Sequence, residues 1–455
     1  MQSIFASRVR MPNGWKHNVR VNIKAGIIAD ITTDQSLQNG DMIVDTLLPA
    51  LGNLHSHTFQ RAMAGMTEVR AAGKDSFWTW RTLMYKFIDH MTPEQYQAIA
   101  ALVFMEMLEA GYSSVGEFHY VHHQPGGARY DNDTELSERI FAAAQHTGIG
   151  LTHLPVLYSY GGAGCAELGG GQLRFGNTVD EFCTIVDKLR SLAGNDMPFD
   201  TTVGIAPHSL RATSPDDLAQ VLNIQHDAPV HIHIAEQPKE VADINNWLGA
   251  RPVEWLLDNA DVDKNWCLIH ATHMTATETL AMAQSGAVAG LCPITEANLG
   301  DGPFNGVEYL AAGGAFGIGS DSNVRISLVE ELRTLEYSQR LRDLARNVII
   351  PKAGSVGEAL YLGAASGGAQ ALQRKSGTIE VGQLADLVAI NGQAPALLAL
   401  NDDQILDGLV FAAADDVITD VWSAGRHQVQ GGQHIARDAI LTNYRTAITG
   451  LLASM

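Results

Sequence analysis

The chain is poor in cysteine and in positive charge, and it has no long apolar run. Its four cysteines, Cys165, Cys183, Cys267 and Cys292, are scattered with no Cys-x-x-Cys spacing. That spacing argues against a disulfide frame and a thiolate zinc site, and reads as reduced thiols of a cytoplasmic protein. No apolar stretch approaches the roughly 18 residues needed to span a membrane. The N-terminal MQSIFASRVRMPNGWKHNV lacks a signal-peptide apolar block. Lys and Arg number 30 against 50 Asp and Glu, a formal net charge of −20. This surplus disfavours nucleic acid and anionic membranes as partners. Arginines that bind an anionic substrate would have to be local exceptions inside a pocket.

What is present is enough for one large domain and a smaller one: 455 residues, 46% of them apolar. Residues 1–48 are β-rich, with a hairpin in VRVNIKAGIIADITT. The same texture returns in GTIEVGQLADLVAI and DVITDVWSAGRHQVQGGQHI. The two flanks, 1–48 and 374–437, are therefore expected to form one small β-sandwich domain, followed by a C-terminal helix over 438–455. The middle, 49–373, alternates strand-like and helix-like segments. TPEQYQAIAALVFMEMLEAG opens with Thr92 as N-cap, Pro93 in the first turn and Gln95 closing a capping box. Eight strand candidates separated mostly by helices indicate a parallel sheet closed into a TIM-like (β/α)8 barrel, an α/β fold. An open doubly wound sheet is the competing topology, and it would call for a Gly-rich phosphate-binding first turn that is missing here. After the first strand, residues 58–90 read as a long irregular loop rich in Trp and Arg.

Barrel chemistry sits where strands end. The first strand ends in Leu54-His55-Ser56-His57, which projects two imidazoles to one side. The second ends in Glu117, His119 and Tyr120, and the fourth in His208 with Arg211 one turn on. The fifth gives His231, His233 and Glu236, the sixth His270, and the eighth Asp321. So many histidines at strand ends point to a metal hydrolase. His55, His57, His233 and Asp321 supply an N,N,N,O donor set suited to one divalent ion, zinc by default, with iron or manganese as alternatives. Such an ion lowers the pKa of a water from about 16 towards 7. Glu236, three residues past His233, is placed to shuttle protons, and His270 to polarise the reacting carbon. His231 reads as a deeper core residue. Asp321 could instead cap the helix starting near 326. Thr295-Glu296-Ala297-Asn298 reads equally well as pocket wall or structural turn.

His55-Ser56-His57, HIHIAE (231–236), LIHATH (268–273) and GIGSDS (317–322) resemble the amidohydrolase superfamily. The deaminase branch is nearest in pattern: it has a HxxE unit on the fifth strand and no lysine ending the third or fourth, which implies a single metal. HSHTFQRAMAG, SFWTWRTLMY, EFHYVHH, APHSLRA, HIHIAEQ, CPITEANLGDG and GSDSNVRISLVEEL resemble the formimidoylglutamate deiminase family. That resemblance implies metal binding by His55, His57, His233 and Asp321. It implies catalytic roles for Glu236, His270 and Asp321, and substrate binding by Gln60, Arg81, Tyr120, His208 and Arg211. The implied reaction releases ammonia from N-formimino-L-glutamate, in histidine degradation, and the implied assembly is a homodimer. A dianionic amidine suits guanidinium forks such as Arg81 and Arg211. Rival expectations are a deaminase or chlorohydrolase of a purine, pterin or triazine, and a non-catalytic barrel scaffold.

Overall fold

The computed structural model describes residues 2–69, 77–224 and 227–455, with 77–79 as backbone. Its strands, in chain order, are β1 (Gln2–Met11), β2 (Gly14–Lys24), β3 (Ile27–Thr32), β4 (Met42–Pro49), β5 (Leu51–Ser56), β6 (Tyr112–His119) and β7 (Gly150–Leu157). There follow β8 (Thr202–Val203), β9 (Ala206–Pro207), β10 (Val230–Ile234), β11 (Trp266–His270), β12 (Val288–Leu291) and β13 (Ala315–Ile318). The last are β14 (Leu387–Ile390), β15 (Ile418–Ser423), β16 (Arg426–Gln430) and β17 (Gln433–His434).

Both chain ends contribute to one eight-stranded sheet, ordered β17-β16-β15-β14-β4-β1-β2-β3. All its pairings are antiparallel except β1 with β4. Ala25 (φ 50°) and Gly26 (φ 82°) turn β2 into β3, a left-handed pair that matches hairpin twist. The far edge returns on itself through an antiparallel bridge from Ile27 to Leu384. Val9, Val21, Ile28, Leu47, Leu387 and Trp422 fill a core separate from the main one.

The middle of the chain forms parallel sheets, β5-β6-β7 with β8 and β9 against β7, and β10-β11-β12-β13. Parallel bridges Ser56–Asp321 and Ile205–Val230 join them on both sides. Every residue of β5, β6, β7, β10 and β11 is buried, as expected of parallel strands covered on both faces. Gly319 permits the close approach of the last strand to the first, since a Cβ there would lie 2.7 Å from the His55 carbonyl oxygen.

Helix starts follow the local sequence. Thr92 caps Pro93–Glu109 with a complete capping box, and Gly148 (φ 71°) ends Glu135–Thr147. The segment read as an irregular loop over 58–90 is different. Thr58–Met63 is a 3₁₀ turn and Phe77–His90 is a helix, while 70–76 lie outside the described residues. The burial of Met84, Phe87 and Ile88 on one helical face shows an amphipathic pattern that the Trp and Arg content obscured. Asp402–Phe411, inside the C-terminal flank, is also a helix and packs on Leu328–Asp343 and Val356–Ala371 rather than joining the sheet. Arg437–Ser454 forms the terminal helix, laid along Pro93–Glu109. Among the described residues no helix is long and apolar enough to cross a membrane.

Candidate active site

The strand ends converge as the sequence spacing implied. Donor atoms of His55, His57 and His233 lie within 4.8 Å of one another, as do those of His55, His270 and Asp321. His55 Nε2 is 3.1 Å from His233 Nε2 and 3.5 Å from Asp321 Oδ1, and His57 Nε2 is 3.4 Å from the same oxygen. Ligands about 2.0–2.1 Å from a tetrahedral zinc sit about 3.3 Å apart, so these separations fit a shared ion. The tautomers fit too. His57 Nδ1 donates to the Phe118 carbonyl (2.9 Å) and His233 Nδ1 to the His208 carbonyl (3.2 Å), which leaves each Nε2 lone pair inward.

Backbone strain aims these groups. Ala235 (φ 50°), His270 (φ 68°) and Asp321 (φ 44°) are left-handed residues with side chains, placed where β10, β11 and β13 give way to loops. The Asp321 turn is pinned by reciprocal main-chain bonds with the first strand's end. His57 N–H donates to Asp321 O, and Asp321 N–H to His55 O. Asn323 Nδ2 donates to Ser56 Oγ, His57 O and Asp321 O.

Electrostatics match ligand chemistry. Burial pushes His55 down to about 3 and lowers His57 and His233, so these imidazoles are neutral. Burial works to raise the Asp321 carboxyl, yet the hydrogen bond to His55 and the charge of His270 outweigh it and hold the group below the usual carboxylate range. For His270 burial favours the neutral ring. Glu296, Glu236 and Asp321 override it and raise the imidazole to about 10. Glu236 is raised by burial, against the pull of His270 and Arg211.

One cavity brings the expected residues together: its wall includes His57, His233, Asp321, Glu236, Arg81 and Arg211. Gln60, Tyr120, His208 and His270 line it as well. Gln60 Nε2 donates to Tyr120 Oη at 2.9 Å. Glu236 Oε1 is 3.9 Å from His270 Nε2, and Oε2 is 3.5 Å from Arg211 Nη2. Arg81 Nη2 donates to Tyr158 Oη at 2.9 Å, and its Nε to Tyr85 Oη.

Other strand-end residues point elsewhere. Glu117 accepts from Thr58 N–H (2.9 Å) and Oγ1 (2.8 Å), away from the cavity. His119 bonds Tyr96 Oη, and His231 bonds the Ala371 carbonyl. Residues 295–298 divide by role on the short helix Pro293–Leu299. Thr295 lines the cavity and Asn298 bonds Glu68. Glu296 Oε1 accepts from His270 Nδ1 (3.2 Å) and from Cys292 N–H (2.9 Å). Glu240 was not legible in sequence either. Fully buried, it accepts from Glu236 N–H at 3.0 Å and lies 3.8 Å from Arg211 Nε. The only local signal for it was a carboxylate in the first turn of Pro238–Leu248, which ordinarily reads as a cap.

Residues 46–427 match the amidohydrolase family, and residues 1–43 match the formimidoylglutamate deiminase HutF N-terminal domain. Formimidoylglutamate deiminase of Pseudomonas aeruginosa is 48% identical over 444 residues, 96% of this chain and 97% of that protein. A 5-methylthioadenosine/S-adenosylhomocysteine deaminase of Natronomonas pharaonis is 26% identical over 429 residues, 91% of this chain and 89% of that one. The crystal structure of an amidohydrolase from Brucella melitensis superposes with a TM-score of 0.95 at 48% identity, covering 99% of this chain and 100% of that one. An adenosine deaminase from Xanthomonas campestris with bound zinc shares the fold, with a TM-score of 0.81 at 22% identity over 99% and 98% of the two chains.

Fold and site together define a hydrolase of C–N bonds that uses a metal cofactor. The chain belongs to the amidohydrolase family, and within it to the formimidoylglutamate deiminases.

Proposed function

We propose that this chain hydrolyses N-formimino-L-glutamate to N-formyl-L-glutamate and ammonia, a step of L-histidine degradation. The observation that carries the reading is one cavity whose wall joins Glu236, His57, His233 and Asp321 to two arginines, Arg81 and Arg211. In an acidic chain, two guanidinium groups at one buried site fit a substrate with two carboxylates. The 48% identity to the Pseudomonas aeruginosa enzyme, spread over 96% of the chain, supports the same substrate.

His55, His57, His233 and Asp321 would hold one divalent ion, zinc by the all-N,O donor set. When bound, such an ion makes a water ionisable near neutral pH. Asp321 accepts a proton from the attacking water at a carboxylate oxygen. Glu236, raised by burial, carries a proton to the departing nitrogen. His270, held charged by Glu296, steadies negative charge as the carbon becomes tetrahedral. Collapse of that carbon expels ammonia and leaves the formyl group. Gln60, Tyr120 and His208 orient the amidine, and Arg81 and Arg211 hold the carboxylates.

Wider organisation belongs to the same reading. The bridges Ser56–Asp321 and Ile205–Val230 support a closed (β/α)8 barrel over 49–373. The return from Ile27 to Leu384 supports a small β-sandwich domain from 1–48 and 374–437, with 438–455 as a terminal helix. Four free cysteines support a cytoplasmic setting. The homodimer rests on family resemblance, and light scattering tests it. Ammonia release tests the function, with N-formimino-L-glutamate as substrate and guanine and cytosine as controls. Turnover of the first alone is expected, and turnover of a nucleobase instead would overturn the assignment.

A further inference from the structure

We propose that Tyr158 is a substrate-binding residue whose hydroxyl donates a hydrogen bond to one carboxylate of the substrate, beside Arg81. The inference rests on the dicarboxylate reading of the cavity above.

Tyr158 follows β7, is 3% exposed and lines the cavity. Its oxygen takes a hydrogen bond from Arg81 Nη2 at 2.9 Å, and a guanidinium can only donate. It also takes one from Gln172 Nε2 at 3.0 Å. The Gln172 amide cannot be reversed. Its Oε1 accepts from Gly169 N–H (3.2 Å), and its Nε2 donates to the Gly161 carbonyl (3.1 Å). The group facing Tyr158 is therefore the NH₂.

A phenol oxygen has two acceptor lone pairs and one proton. Both lone pairs of Tyr158 are engaged, so the only capacity left is the O–H. That proton has no acceptor among the described residues. A buried donor is satisfied in the working state of a protein, so the missing partner is an acceptor brought by the ligand. Two incoming donors, one of them cationic, make the O–H a stronger donor and suit it to an anion. The His208 ring packs edge-on against the Tyr158 ring, with centroids 4.6 Å apart. A carboxylate beside Arg81 then meets a guanidinium N–H and a phenol O–H together. Such a pair selects a carboxylate over an uncharged group of the same shape, because a site built from donors rejects what cannot accept.

The test is Tyr158→Phe, with folding checked by circular dichroism and melting temperature. Three substrates are compared: N-formimino-L-glutamate, N-formimino-L-2-aminobutyrate without the distal carboxylate, and N-formimino-4-aminobutyrate without the α-carboxylate. The variant is expected to lose roughly 10- to 100-fold in kcat/KM on the diacid, mainly through KM. One monoacid should lose the same factor. The other, which lacks the contacted carboxylate, should change by less than about 2-fold relative to wild type. An equal loss on all three substrates would mean that Tyr158 only shapes the site, and would overturn the proposal. So would a loss below about 2-fold on the diacid. If wild-type protein fails to turn over the diacid at all, the proposed function fails instead. Calorimetry with glutarate then decides the role of the hydroxyl: weaker binding in Tyr158→Phe supports it and equal binding removes it.

Discussion

The Nε2 atoms of His55 and His233, 178 residues apart in sequence, lie 3.1 Å apart in the structure. They come from β5 and β10, and Asp321 closes the group from beyond β13. A metal ion held, as proposed, by these three distant strand ends would tie metal binding to folding. Chelation should therefore abolish turnover and also lower the melting temperature. At free zinc about 1,000-fold over its Kd the ion contributes about 4 kcal/mol. Scanning calorimetry of chelated and zinc-restored protein measures this, and unchanged melting would place the ion elsewhere.

Glu236→Gln keeps the size of the side chain and the N–H bond to Glu240, but removes the proposed proton carrier. Turnover should fall by about 10²–10⁴ with metal content unchanged. Metal analysis alongside ammonia release separates the two effects. Near-normal turnover would take Glu236 out of the proton path.

Glu296 holds His270 through Nδ1 and so presents Nε2 to the cavity. Glu296→Ala should lower kcat by about 10- to 100-fold with little change in KM, the scale seen when a carboxylate behind a functional histidine is lost. Glu296→Gln, which can still accept the Nδ1 proton, should recover part of the loss. Equal kcat in the two variants would show that a hydrogen bond at this position is not what orients His270.

A second group of buried histidines is expected to make stability depend on pH. Burial pushes His122 and His153 down to about 3 from 6.5, and takes His119 well below its usual value. Neither nitrogen of His153 has a partner among the described residues. The folded state resists protons that the unfolded chain accepts, so stability is full above pH 6.5 and is lost as pH falls towards 3. Melting curves at pH 7.5, 6 and 5 should show a decline that His153→Phe makes shallower. An identical slope in the variant would exclude His153.

Between the terminal sheet and the parallel strands of the middle, Arg374 Nη2 donates to Asp200 Oδ2 (2.8 Å) and Asp386 Oδ1 (2.9 Å), and the side chains of all three are buried. Arg374→Leu leaves the Asp386 carboxylate without its guanidinium partner and should destabilise by about 3–5 kcal/mol. Denaturant unfolding measures it, and a loss below about 1 kcal/mol would mean that water takes over the pairing.

The main architecture was legible because its signals are local. His55 and His57 alternate on a strand, Thr92 and Gln95 box a helix, and each β-strand of the middle is a short apolar run. Convergence was legible because parallel strands put their ends on one side. The helix Phe77–His90 was hidden, since its apolar face is interleaved with Trp, Arg and Lys. Glu240, Tyr158 and the bond from Glu296 to His270, in a segment that read equally as pocket wall or turn, were hidden for another reason. Each acts on a residue far away in sequence or across a loop, and the same letters serve equally well as caps and core. Only the distances to Arg211, His270 and Arg81 distinguish the roles.

Ammonia released from N-formimino-L-glutamate, followed while metal-stripped protein is titrated with zinc, is the most direct test of the site as a whole. The expected result is a linear rise in rate that saturates at one zinc per chain. No ammonia at any zinc level, or a rate that saturates only at two, would contradict it.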